Sequence, residues 1–398
     1  MESPTAPTWI RLRSIDVLRG LVICLMALDH TRDFFHASAY AYDPLDAAQT
    51  TPALFLTRWV THLCAPAFLL LAGVSAWLQH HRGKSLGQLS RFLVMRGLWL
   101  IALEVTVISF GWAFSVPYLI YLQVIWAIGC SMIALAALIW LPRAAILSIS
   151  IVIIAGHNLL DNFRPRGSAH LEQMLGQFWA LLHSGGRWPN TDAALLLITY
   201  PLLVWIAVMA LGYAIGPVFL SPHRDQILAA AGTLLLVFFF GLRVSNLYGD
   251  PRPWISGATP AQTVMHFFNV QKYPPSLLFL SVTLGILFLL GALLDRRQGR
   301  FTGVLRVFGS VPLFAYVTHI YLLHAANVIL LLLTHRPTAG TFDQIRNAFF
   351  LPEKLVGSSF SLPVVYVVWF TTLALLYPLC RWWAMVKSRR RSWWLSYL

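Results

Sequence analysis

Along the chain, apolar stretches of roughly 20 residues alternate with polar connectors punctuated by Gly and Pro, the length a helix needs to cross about 30 Å of hydrocarbon. Ten such stretches occur, at residues 15–36, 54–79, 91–111, 117–141, 143–158, 191–216, 226–246, 276–295, 305–334 and 361–386, the fifth being short. The pattern predicts an all-α fold: one polytopic bundle of about ten transmembrane helices over residues 15–386. A short N-terminal segment, 1–14, precedes it and a basic, Trp-rich tail, 387–398, follows it. Three connectors predict structure of their own. Leu171, Met174, Leu175, Phe178, Trp179 and Leu182 form an apolar helical stripe suited to lying on a membrane surface. Thr259 before Pro260 predicts a second short helix reaching about residue 268. The loop 336–362 carries a possible turn of helix at 342–350. One half does not repeat the other, which weighs against an inverted-repeat transporter.

Composition agrees with a membrane bundle. Of 398 residues, 58% are hydrophobic and only 11% charged, which excludes a set of soluble domains. The 16 Trp suit headgroup-level belts. A net charge of +14 raises the possibility of nucleic acid, but the basic residues lie between apolar spans rather than on a soluble patch with stacking aromatics, so no nucleic-acid partner is expected. They set orientation instead. With the N-terminus inside, one side collects Arg11, Arg13, Arg19, Arg82, Lys84, Arg91, Arg96, Arg143, Arg224, Arg296, Arg297, Arg300, Arg306, Arg381, Lys387, Arg389, Arg390 and Arg391, the larger share of the 29 basic residues. Both termini are therefore expected in the cytoplasm. The tail reads as an anchor on anionic membrane lipids. Cys24, Cys64, Cys130 and Cys380 fall in or at the ends of apolar spans without a CxxC pair and read as core residues. The N-terminus lacks a small-residue cleavage site and reads as leading into a first transmembrane helix rather than as a removed signal.

Ionisable groups inside a span are functional candidates, and the first helix carries Asp16, Arg19, Asp29, His30, Arg32, Asp33 and His36. Eleven residues separate Arg19 from His30, which returns them to within about 20° of one face and places them roughly 16 Å apart along the axis. An extended pantetheine arm spans a comparable distance. Arg19, with Asp16 one turn before it, is thus a candidate for holding a phosphate of an acyl-coenzyme A. An acyl transfer needs a base for the acceptor's proton, and a histidine oriented by a carboxylate supplies one. His30 and His36 are the candidate bases, with Asp29 or Asp33 as orienting groups. The alternative is a buried ion-pair network of Asp29, Arg32 and Asp33, with the histidines satisfied by backbone or water. His62 and His319 lie at similar depth on their helices, with Tyr316 three residues before His319 and His324 five after it; packing roles serve these histidines equally well. Lys272 and Tyr273 stand at the outer entrance as candidate acceptor contacts or ordinary interfacial residues, and Pro274 and Pro275 are expected in the first turn of the eighth helix. No metal site is expected: HExxH is absent, and chelation by Asp29, Asp33 and His36 is disfavoured.

The strings RLRSIDVLRGLVICLMALDH, KYPPSL and VPLFAYVTHIYLLH resemble bacterial membrane proteins related to heparan-alpha-glucosaminide N-acetyltransferase. That resemblance implies a bundle of similar helix count in a bacterial inner membrane. It also implies transfer of an acetyl group from cytosolic acetyl-CoA to an amino sugar, with a histidine after the first catalytic helix as the key residue. His36, followed by Ala37, matches it. The chain is also similar to the acyltransferase-3 family, in which an Arg, ten intervening residues and then a His close the first helix; Arg19 and His30 match that pattern. The Asn that the heparan enzymes carry near His30 is absent. The resemblance leaves the choice of histidine open. The expected activity is acyl transfer from acyl-CoA to a glycan or glycolipid outside, by a protein that can form homo-oligomers. A transporter using the same Asp and His residues, or a non-catalytic membrane partner, are the alternatives.

Overall fold

The computed structural model describes residues 12–188, 195–295, 297 and 299–389. Most of the predicted N-terminal segment (1–11), the start of the sixth predicted span (191–194) and most of the predicted tail (390–398) lie outside the described residues.

Each predicted stretch holds a helix, and prolines decide where several begin. α1 (Arg13–Phe35) runs unbroken. The second stretch divides into α2 (Pro52–Trp59), a 3₁₀ turn (Val60–Leu63) and α3 (Cys64–His81). Pro66 has no N–H to offer the His62 carbonyl, so regular α bonding cannot run through this point and α3 takes Pro66 into its first turn. α4 (Leu86–Leu103) starts on a reciprocal cap between Ser85 and Gln88 and continues through a π-helical turn (Glu104–Ile108) into α5 (Ser109–Ala113). α6 (Val124–Leu138) and α7 (Arg143–Gly156) follow. α8 (Ala169–Trp179) is the expected surface helix, leaving Leu171, Met174, Leu175 and Phe178 exposed. After α9 (Leu202–Ala214) and α10 (Arg224–Ser245) comes α11 (Pro260–Phe268), whose N-cap Thr259 accepts from the Gln262 N–H as the sequence predicts. α12 (Leu277–Asp295), α13 (Arg300–Ser310), α14 (Pro312–Leu333), α15 (Gln344–Phe350) and α16 (Leu362–Arg389) complete the order.

Among the described residues, seven helical stretches are long and apolar enough to cross a membrane: Pro52–His81, Leu86–Ala113, Arg143–Leu160, Arg224–Ser245, Leu277–Asp295, Pro312–Leu333 and Leu362–Arg389. α6 and α9 are apolar but shorter. α1 has 23 residues but carries the charged groups.

Four expectations need correction. The chain is not wholly helical: β1 (Ile120–Leu122), β2 (Gly186–Trp188) and β3 (Leu196–Ile198) form a three-stranded sheet in the order β1-β3-β2, with β1 parallel and β2 antiparallel to β3. Tyr121 pairs with Leu197, and Arg187 opposes it from the other side. The predicted sixth span therefore opens as strand. Pro201 biases its predecessor toward extended backbone, and α9 starts only after it. The predicted ninth span breaks at Val311, because Pro312 fits at a helix start and not in a continuous ladder. Pro274 and Pro275 occupy the turn before α12, not its first turn.

α1 lies at the centre, packed on α3, α12, α13, α14 and α16. Its contact with α13 is backbone against backbone: a Cβ on Gly20 would collide with the Leu305 carbonyl, and one on Gly309 with the Asp16 carbonyl. Without water to drive apolar association, close approach through small residues is how helices adhere in lipid. One end of the bundle is basic, with Arg13, Arg82, Arg224, Arg297 and Arg306 lining a common depression. Gly309→Ala is expected to destabilise the bundle by about 1–3 kcal/mol through overpacking. Gly303→Ala, on the same helix with open space around it, is expected to be neutral or stabilising; thermal unfolding in detergent compares the two.

Candidate active site

The far end of α1 is held in place through its own carbonyls. The last four C=O groups of a helix have no partner within it. Here Gln344 Nε2 donates to the Asp33 carbonyl at 2.6 Å, Asn327 Nδ2 to that of Phe34 at 2.7 Å, and the Phe360 N–H to that of Phe35 at 2.6 Å. Three segments distant in sequence thereby fix the turn that carries Asp29, His30, Arg32 and Asp33.

His30 and His319 form one unit. His30 Nδ1 lies 2.8 Å from His319 Nε2, and the two rings stack with centroids 4.9 Å apart. The proton positions follow from the outer contact. His319 Nδ1 lies 3.0 Å from the Ala315 carbonyl, which only accepts, so Nδ1 carries the hydrogen and the neutral ring accepts at Nε2. His30 must then donate from Nδ1, which leaves its Nε2 with a lone pair and no protein partner among the described residues. Trp112 packs edge-on against His30 at 4.9 Å and stacks on Phe34 at 4.7 Å. Tyr316 sits edge-on to both histidines, at 5.9 and 5.5 Å, with its buried hydroxyl unpartnered.

Asp29 and Asp33 do not orient either candidate base. Asp29 accepts from Arg58 Nη1 with both oxygens, at 3.1 and 2.9 Å, and from Arg32 Nη2 at 3.0 Å; Arg32 also reaches Asp33 at 2.6 Å. Two guanidiniums and two carboxylates make a neutral cluster, and guanidinium is the stronger partner for a carboxylate in a dry site. The alternative network of Asp29, Arg32 and Asp33 is therefore present, extended by Arg58, and the orienting role falls to His319. His36 stands apart from His30: it ends α1 half-buried, with Nδ1 accepting from the Ser38 N–H at 3.1 Å. His62 is fully buried between Trp59 and Phe279, with both ring nitrogens unpartnered. Lys272 is buried, its Nζ 5.1 Å from the Tyr273 ring, which meets Tyr200 edge-on; Lys272 is within electrostatic reach of Asp29. His324 is tied to the Gly111 carbonyl at 2.8 Å and stacked on Phe114, a packing role.

A cavity of about 620 Å³ runs into the bundle from the basic end. Arg82, Lys84, Arg96 and Lys387 line it together with Arg19; Ile23, Val124 and Leu313 line it with apolar surface, and Tyr316 joins the wall. Arg19 donates to the Leu71 carbonyl at 3.1 Å and bonds Ser75 Oγ, placing its guanidinium on the wall. Asp16 lies 3.8 Å from Arg19 but does not line the cavity; it supports Arg19 rather than contacting a ligand there.

Three further residues went unread in the sequence. Arg58 was hidden in an apolar stretch and paired only through folding. Trp112 was one aromatic among many. Glu104 is fully buried in the π-helical turn, where its Oε2 accepts from the Trp126 N–H at 2.7 Å in the first turn of α6. It is the sole carboxylate of the stretch 91–111, a signal the rule for buried charges would have caught.

A family model described as heparan-alpha-glucosaminide N-acetyltransferase, catalytic, matches residues 11–242. The matched part contains Arg19, His30, Arg58 and Glu104 and ends before Tyr316 and His319. No curated protein matches the chain.

Breaking the ion cluster by Arg58→Met is expected to destabilise the protein by about 3–5 kcal/mol, because Asp29 and Asp33 are then left to share the single guanidinium of Arg32. The Asp29→Asn, Arg58→Met double variant, neutral again, is expected to recover part of that loss in thermal unfolding.

Proposed function

The chain belongs to the heparan-alpha-glucosaminide N-acetyltransferase catalytic family, and on that premise we propose that this integral membrane protein moves an acetyl group from cytoplasmic acetyl-CoA to a glycan or glycolipid on the opposite side of a bacterial inner membrane. The observation that carries this reading is the cavity, which runs from a basic mouth to a wall that includes Tyr316, whose ring packs edge-on against the His30–His319 pair. The phosphates of the coenzyme sit at Arg82, Lys84, Arg96 and Arg19, where guanidinium and ammonium groups offer charge-assisted bonds. The pantetheine arm follows the apolar wall inward. The basic end is the cytoplasmic one, in keeping with the excess of Lys and Arg there.

Chemistry follows from the proton positions. An amine or hydroxyl of the acceptor attacks the thioester carbonyl carbon; the new C–N or C–O bond forms and the C–S bond breaks, releasing the coenzyme as thiolate. His30 Nε2 takes the acceptor's proton. The imidazolium that forms shares its charge with His319, because the Nδ1 hydrogen can shift along the 2.8 Å contact. Tyr316, whose hydroxyl has no protein partner, donates to the carbonyl oxygen as it becomes negative. Between the two candidate bases this assigns the role to His30, since Ser38 engages His36. Lys272, Tyr273 and His62 are assigned to the acceptor, Lys272 suiting an anionic group on a glycan or glycolipid.

Isothermal titration of purified protein with acetyl-CoA is expected to show saturable binding that is lost in Arg19→Ala, Arg96→Ala and kept in His30→Ala. Absence of binding by acetyl-CoA and longer acyl-CoAs would sink the proposal in favour of transport through the same Asp and His residues. With glucosamine as acceptor and release of free thiol as readout, His30→Ala is expected to lower kcat about 10²–10⁴-fold and Tyr316→Phe about 10²–10³-fold. His319→Gln, which can still accept from His30 Nδ1, is expected to retain far more activity than His319→Leu.

A further inference from the structure

At the end of the bundle away from the basic cavity, we propose that His157, Asp161 and His183 form a binding site for a divalent metal ion of zinc type. One candidate ligand atom from each residue lies within 4.8 Å of the other two. His157 opens the 3₁₀ turn (His157–Leu160) that ends α7, and Asp161 caps that turn, so the pair stands one helical turn apart. His183 comes from a separate element, the π-helical turn Ala180–Ser184 after α8.

Local chemistry favours a cation. His157 is 2% exposed, yet neither ring nitrogen has a hydrogen-bond partner, and Asp161 Oδ1 is likewise buried without one. Buried polar atoms are nearly always paired, so an unpaired His157 ring nitrogen beside the Asp161 carboxylate and His183, one ligand atom from each within 4.8 Å of the others, calls for an occupant. His183 Nε2 lies 3.6 Å from Asp161 Oδ1. Two ligands of a tetrahedral zinc at 2.0–2.1 Å stand roughly 3.4 Å apart, so this edge is already near its bound length. His183 Nε2 now donates to the His157 carbonyl at 3.0 Å. On binding, that hydrogen bond gives way, the neutral ring changes tautomer so that its hydrogen moves from Nε2 to Nδ1, and Nε2 becomes the ligand.

The supporting residues are arranged as a metal site requires. Asn158 Nδ2 donates to Asp161 Oδ2 at 2.9 Å, while Asn158 Oδ1 accepts the Leu277 N–H at 2.9 Å, tying the carboxylate to the first residue of α12. Trp179 stacks flat on His183 with centroids 5.0 Å apart, and Phe163 packs edge-on against Trp179. Such partners orient the ligands of known sites and tune their affinity. Three protein ligands leave a fourth position for water. The bound ion would close the loop that carries α8, pinning the exposed apolar helix and the adjoining strand β2 to the end of α7.

The test uses full-length protein in detergent, stripped with chelator, dialysed against ZnCl₂ and assayed by elemental analysis, with CoCl₂ absorption spectra as a second readout. Wild-type protein is expected to retain one equivalent of zinc and to show the visible bands of tetrahedral cobalt. His157→Ala and Asp161→Asn are expected to lose both, and Asn158→Ala, which removes no ligand, to bind about 10–100-fold more weakly. Zinc is expected to raise the unfolding temperature of wild-type protein but not of Asp161→Asn. Wild-type protein that holds no more zinc than His157→Ala overturns the proposal, and so does an unchanged affinity in variants that elute as monodisperse, helical protein.

Discussion

A charge taken into hydrocarbon is tolerated only where the protein replaces the water it loses, and the C-terminal third of α1 carries Asp29, Arg32 and Asp33 around His30, with His36 just beyond. Arg58 resolves this by reaching Asp29 from α2 with a bidentate contact. The requirement shapes more than a salt bridge. It brings the end of α2 against α1, and it leaves the chain to re-enter a helix at α3 through the 3₁₀ turn that holds His62. With each carboxylate bound to guanidinium, neither competes for the histidines, and His30 is free to pair with His319.

The same central helix unites the two ends of the site. Its N-terminal half approaches α13 so closely, at Gly20 and Gly309, that only glycine fits. Arg19 projects from that half onto the cavity wall, while the C-terminal half is held by Asn327, Gln344 and Phe360 at its last carbonyls. A rigid rod locked at both ends keeps Arg19 and His30 at a constant separation, which is what the proposed transfer between reactants entering from opposite sides would demand. The break at Pro312 serves the same geometry: α14 restarts there, and Tyr316 and His319 fall on the turn facing His30.

Proton placement in this pair descends from backbone structure. A single carbonyl, that of Ala315, sets the tautomer of His319, and His319 sets that of His30. No carboxylate is needed to make His30 Nε2 the basic atom, in contrast to the arrangement that short spacings on α1 suggested. The His157–Asp161–His183 cluster beyond α7 is built differently, from unsatisfied atoms rather than a completed chain of hydrogen bonds.

Much was legible from the sequence alone. The apolar stretches located every long helix, because hydrocarbon thickness imposes their length whatever they pack against. Lys and Arg marked the basic end, Thr259 and Pro260 located α11, and the concentration of ionisable groups marked α1 as the helix that carries a buried ion cluster. Arg19 and His30 were placed on one face by helical geometry. What a spacing along one helix could not reveal was which groups from other helices meet it. Arg58 claims Asp29, His319 rather than an aspartate orients His30, and His157 and His183 come together across an intervening surface helix. Those choices arise between segments tens to hundreds of residues apart, where periodicity carries no information and only the packing of the bundle brings donor to acceptor.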